Sequence, residues 1–66
     1  MNRETMTKMT KRDRERLKRK REKLGLSLLN VAIRVGVNPS TVQRWETSDA
    51  TTMRSINAKA WKAAVR

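Results

Sequence analysis

Apolar residues are sparse in the first third of the chain and recur at helical spacing after it. Residues 1–9, MNRETMTKM, have no periodicity and read as a flexible basic N-terminal arm, the default for a terminus without an apolar face. Thr10 and Asp13 have the spacing of an N-cap and an acidic first-turn residue, which predicts a first helix from about Lys11 to Leu24, stopped by Gly25. Leu17 and Leu24, seven residues apart, share a face of that helix, and Arg12, Arg14, Arg16, Lys18, Arg19, Lys20, Arg21 and Lys23 surround them. So thin a stripe makes the helix dependent on tertiary contacts.

The pattern then changes. Ser27 is placed to cap a second helix, about residues 28–34, which carries Leu28, Val31, Ala32 and Val35 at spacings of 3, 4 and 7. Gly36 can end it in a left-handed conformation, and Asn38-Pro39 reads as an N-cap followed by proline in the first turn of a third helix, about residues 39–45. That helix buries Val42 and Trp45 and turns Ser40, Thr41, Gln43 and Arg44 outward. Two short helices joined by a tight glycine turn make a helix-turn-helix over about residues 28–45. Residues 47–54 read as a loop. A last helix follows, capped by Ser55 or Thr52, with Met53, Ile56, Ala60 and Ala63 or Ala64 on its apolar face and Trp61 and Val65 beside it. The fold class is all-α, with one domain over residues 10–66.

Charge adds a partner to this outline. The 66 residues hold 17 Lys and Arg against 6 Asp and Glu, a formal net charge of +11. Residues 1–24 carry +7, residues 25–46 carry +1 and residues 47–66 carry +3, so a nearly neutral middle lies between basic flanks. Such an excess attracts polyanions through counterion release, and it exceeds the roughly 2 to 8 units that solubility asks of a small domain. Without Cys or His, a disulfide framework, a thiolate zinc site and imidazole catalysis are excluded, and no metal or cofactor is expected. Glu4, Asp13, Glu15, Glu22, Glu46 and Asp49 form no catalytic constellation, so no catalytic residue is assigned and an enzyme is not expected. No apolar run approaches the roughly 18 to 20 residues that span a bilayer. A protein that stays in the cytoplasm is expected.

Gly25-Leu26-Ser27, Val31-Ala32, Val35-Gly36-Val37, Thr41-Val42 and Trp45-Glu46 together resemble the Cro and lambda-repressor (XRE-like) helix-turn-helix family over roughly residues 17–46. The resemblance implies a compact four-helix, or with a further C-terminal helix five-helix, lambda-repressor-like DNA-binding domain. It also implies that Arg21 and Glu46 form a partly buried ion pair, and that the third helix enters the major groove of double-stranded DNA. Asn38, Pro39, Ser40, Gln43 and Arg44 are then the candidates for base contact, because arginine suits guanine, glutamine suits adenine, and proline offers van der Waals contact to a thymine methyl. Arg3, Lys8, Lys11, Arg12, Ser27, Thr41 and Arg54 are the candidates for phosphate contact. Leu28 stands where many relatives place a phosphate-binding Gln, and Leu29-Asn30 replace a usual acidic pair. Leu28, Leu29 and Trp61 can either pack in the core or form a small dimer patch.

The expected function is therefore a sequence-specific transcription regulator, a repressor of phage or prophage type that occupies an operator in a bacterial cytoplasm, at the nucleoid, as a homodimer when on DNA. An alternative is a small basic RNA-binding protein that uses the first helix, where Lys18-Arg19-Lys20-Arg21 resembles an arginine-rich reader. A membrane-active peptide fits poorly, since that helix is basic nearly all round and has no wide apolar face.

Overall fold

The computed structural model describes residues 5–66. The elements are β1 (Met6–Lys8), α1 (Lys11–Lys23), α2 (Leu28–Val35), α3 (Pro39–Thr47), β2 (Thr52–Arg54) and α4 (Ser55–Ala64). Local chemistry fixes most of the helix ends. Thr10 and Asp13 form a reciprocal capping box, with Asp13 N donating to Thr10 Oγ1 at 3.3 Å and Thr10 N donating to Asp13 Oδ2 at 3.2 Å. Ser27 and Asn30 repeat the device at the start of α2, where an amide takes the place of the usual acidic partner. Gly36 closes α2 at φ 91°, and its N–H and that of Val37 both donate to the Ala32 carbonyl. Pro39 opens α3 after Asn38, which occupies the N-cap position but makes no side-chain capping bond.

Met9, Leu17, Val31, Ala32, Val42, Trp45, Met53, Ala58, Trp61, Ala64 and Val65 form one core. The Trp45 and Trp61 rings meet at its centre, with centroids 5.6 Å apart and planes tilted by 37°. Trp61 is fully buried, and among the described residues its Nε1 has no hydrogen-bond partner, so what the structure shows of this ring is packing. Leu26, Leu28, Val35 and Val37 pack around the edge.

Two arginines tie the helices together. Arg14 is 2% exposed, and its guanidinium donates to four backbone carbonyls: Met9 at 3.0 Å, Trp45 at 2.8 Å, Ala50 at 3.2 Å and Thr52 at 3.2 Å. These acceptors belong to the residue that follows β1, the last turn of α3, the following loop and β2. Burial holds the Arg14 pKa below the ordinary arginine range. Arg34 Nη1 donates to the Ala64 carbonyl at 3.0 Å and so closes the end of α4 from α2.

Several expectations are corrected. Residues 5–9 are not a free arm: Met6–Lys8 pair antiparallel with Thr52–Arg54, Met9 is buried, and Met9 N donates to the Thr51 carbonyl at 2.8 Å. Strands this short carry no periodicity, and their pairing is supplied by the core beneath Met9 and Met53. Residues 52–54, read as loop, are the other strand of this ribbon. Arg14, one of the cations expected around the apolar stripe of the first helix, is buried, whereas Leu24 is 50% exposed and leaves Leu17 as that helix's buried leucine. Neither Ser55 nor Thr52 caps α4. The N-cap position is Arg54, and Ser55 Oγ instead pairs with Thr7 Oγ1 at 2.6 Å. Ile56 is 71% exposed, because α4 turns Ala58, Trp61 and Ala64 inward. Trp61 is fully buried, so it cannot belong to a surface patch with Leu29.

Candidate nucleic-acid interface

The candidate interface is built on α3. Val42, Trp45 and Glu46 form its inner face, which leaves Pro39, Ser40, Gln43, Arg44 and Thr47 exposed and Thr41 half-buried. A period of 3.6 residues per turn puts Ser40, Gln43, Arg44 and Thr47 on one outward face. The side chains of Ser40, Gln43 and Arg44 make no hydrogen bond or ion pair among the described residues, so their donors and acceptors are available to a ligand. Asn38 is exposed at the N-cap, and its amide is likewise not spent on capping.

The inner side of α3 is held at three kinds of contact. Val42 and Trp45 pack in the core. Glu46 receives two hydrogen bonds from Arg21, from Nε to Oε2 at 2.6 Å and from Nη2 to Oε1 at 3.2 Å, and these side chains are 3% and 13% exposed. Arg21 Nη1 also donates to the Leu26 carbonyl at 2.9 Å, which ties the α1–α2 connection to the same pair. Finally, Arg14 donates to the Trp45 carbonyl, one of the last-turn carbonyls of α3 that has no partner within the helix. A helix held this way presents its outer side chains at a fixed angle.

The residues expected to contact phosphate are dispersed. Lys11 lies near the C-terminal end of α3, with its ammonium 3.9 Å from the exposed Asp49 carboxylate, a contact worth little by itself. Thr41 is half-buried beside the outer face, and Arg54 is exposed at the end of β2. Ser27 is exposed, but its hydroxyl donates to Asn30 Oδ1 at 2.9 Å and accepts from Asn30 N at 3.0 Å, so donation to a phosphate would require opening the capping box. Lys8 shares a cleft with Arg16, Lys20, Lys62 and Arg66 and with no residue of α3. Arg12 stands with Glu15, Arg16 and Arg19 along α1. Arg3 lies outside the described residues.

Sequence reasoning missed Arg14 as the brace of α3, Arg34 as the brace of α4 and Asn30 as the partner of Ser27. The Ser27–Asn30 spacing was visible, since asparagine can accept the reciprocal bond. Nothing in the sequence distinguishes Arg14 from its solvated neighbours, because all of its acceptors are main-chain carbonyls. Among the described residues, no group of His, Cys, Asp and Glu could hold a metal ion, and no helix is long and apolar enough to cross a membrane.

A family model described as helix-turn-helix matches residues 17–56, which span the part of α1 from Leu17 onward, all of α2, α3 and β2, and the first two residues of α4. No curated protein and no solved structure gives a significant match to the chain. The match takes in more than half of the 66 residues, including both helices and the Gly36 turn between them. Together with the free outer face of α3, it establishes that the chain belongs to the XRE-like helix-turn-helix family of double-stranded-DNA-binding transcription regulators.

Proposed function

We propose that the protein is a repressor that reads a specific operator by laying the outer face of α3 in the DNA major groove. The observation that carries this reading is the asymmetry of α3. Its inner face is fixed by Arg14, Arg21 and the core, while Ser40, Gln43 and Arg44 hold uncommitted polar groups outward. Arg44 can donate two parallel hydrogen bonds to guanine O6 and N7, and Gln43 can bridge N6 and N7 of adenine. Ser40 hydrogen-bonds a base or a phosphate at the end of the helix that enters the groove first, flanked by Asn38 and Pro39. Lys11, Thr41 and Arg54 supply phosphate contacts that set the register. Two copies bind together, with recognition helices about 34 to 36 Å apart, so the operator has two inverted half-sites. Repression follows when the operator overlaps a promoter and the bound pair excludes RNA polymerase.

The test compares Arg44→Ala and Lys11→Ala on a selected duplex and its single-base variants across a salt series. Arg44→Ala is expected to relax preference at one base pair by about 1 to 3 kcal/mol. Lys11→Ala is expected to weaken all duplexes alike and to reduce the salt slope by about 1. Uniform weakening by both substitutions would remove base reading from α3.

A further inference from the structure

The side of α1 that meets α3 carries Arg14 and Arg21. At 3.6 residues per turn, Arg12, Arg16, Arg19 and Lys23 project roughly 150 to 170° around the helix from the midpoint of that side. All four are exposed. Next to them, a cleft of about 310 Å³ collects Arg16 and Lys20 from α1, Lys8 from β1, Lys62 from α4 and Arg66 from just beyond it. None of these five cations makes an ion pair among the described residues. Among the described residues the acidic side chain lining the cleft is Asp13, which is already bound by the N–H and hydroxyl of Thr10, and those bonds together with the nearby cations hold its pKa below the usual aspartate value. No residue of α3 borders this cleft.

Like charges gathered in one concave place repel one another and focus a positive potential, and a polyanion relieves both by displacing condensed counterions. The chain has no Tyr or Phe, and Trp45 and Trp61 are both buried, so there is no exposed aromatic ring on which an unpaired base could stack. That argues against a reader of unpaired bases and leaves backbone charge as the means of attraction, for which duplex DNA, the ligand of this family, is the fitting polyanion. We infer that this cleft, with the adjoining face of α1, is a second DNA-binding surface that grips the phosphates of another duplex segment without reading its sequence, so that one domain can bridge two DNA segments. The inference takes α3 as the first surface but does not depend on base reading there.

Bridging is measured by immobilising a selected duplex on beads, saturating it with protein, washing, and adding a labelled random-sequence duplex or an RNA hairpin of equal length. Three proteins are compared: the natural chain, a rear variant (Arg16→Ala, Lys20→Ala, Lys62→Ala) and a front variant (Ser40→Ala, Gln43→Ala, Arg44→Ala), each checked for an unchanged helical spectrum and melt. The natural chain is expected to retain the second duplex in preference to the hairpin. The rear variant is expected to bind the immobilised duplex within about two-fold of the natural chain, yet to retain the second duplex about ten-fold less, because three phosphate contacts are lost. Equal retention by the rear variant, a parallel loss of the first duplex, preference for the hairpin, or no bridging by the natural chain would each overturn the inference. A front variant that binds the immobilised selected duplex as tightly as the natural chain does would instead overturn base reading by α3 and leave the cleft standing.

Discussion

Arg14 Nη1 donates to the carbonyl of Trp45 at 2.8 Å, so a cation from α1 closes the C-terminal end of the helix that presents Ser40, Gln43 and Arg44. The same guanidinium holds Met9, Ala50 and Thr52, and therefore couples the β ribbon to α3. Charge-assisted hydrogen bonds are the stronger kind, and buried carbonyls that lose their donor keep the full desolvation penalty. Arg14→Ala is expected to destabilise the protein by at least about 3 kcal/mol in a urea melt. Arg14→Lys is expected to recover little of this loss, since one ammonium cannot span four acceptors set around a planar fork. A loss below about 1 kcal/mol for Arg14→Ala would show that the ribbon and α3 are held by other means.

The Arg21–Glu46 pair makes a separate prediction. With both side chains largely out of water, deleting Glu46 leaves Arg21 desolvated, and Glu46→Ala is expected to cost about 3 kcal/mol. Glu46→Gln keeps one hydrogen bond and should cost less. Melts that differ from the natural chain by under about 1 kcal/mol would place the pair among weak surface contacts.

Gly36 tests the turn itself. A Cβ added there meets no atom of the described residues within 4 Å, so the cost of substitution is expected from the backbone at φ 91° and not from crowding. Gly36→Ala is expected to lower stability by about 1 to 2 kcal/mol, the penalty of a left-handed conformation for a residue with a side chain. Gly36→Asn should cost less than Gly36→Ala, because asparagine tolerates that region better. Equal cost for the two would point away from the backbone explanation.

Much of this architecture is legible in the sequence because it is local. Thr10, Ser27, Gly36 and Pro39 act through bonds or torsions within a few residues, and they mark the start of α1, both ends of α2 and the start of α3. The ribbon was not legible. Its strands have three residues each, pair across the whole length of α1 to α3, and derive their stability from a core that a period-2 pattern cannot reveal. In α4 the sequence offered two apolar faces, and the structure chose the one holding Ala58, Trp61 and Ala64 because Trp61 has the most apolar surface to bury. At the interface, the outward set of α3 could be read directly, whereas the brace under it could not. Arg14 has the identity of a surface charge, and its burial is decided by carbonyls contributed by four separate segments.

Acid should act on the start of α1. The Asp13 pKa is lowered chiefly by its side-chain bond with Thr10, then by the Thr10 backbone N–H. A lowered folded value means that the stabilisation is present above the unfolded aspartate pKa of about 3.9 and is lost as pH falls through the folded value. The melting-temperature gap between the natural chain and Asp13→Asn is therefore expected to be present at neutral pH and to close progressively below about pH 4. A gap independent of pH would remove the carboxylate's charge from the explanation.

The most direct test of the central claim is a selection from a mixed pool of random duplex DNA and random structured RNA at near-physiological salt, followed by sequencing of what the natural chain and Arg44→Ala retain. Base reading by α3 predicts a duplex motif with two inverted half-sites about one DNA turn apart, and a loss of information at one position of each half-site in the Arg44→Ala pool. Retention of RNA hairpins, or of duplexes with no shared motif, would contradict it.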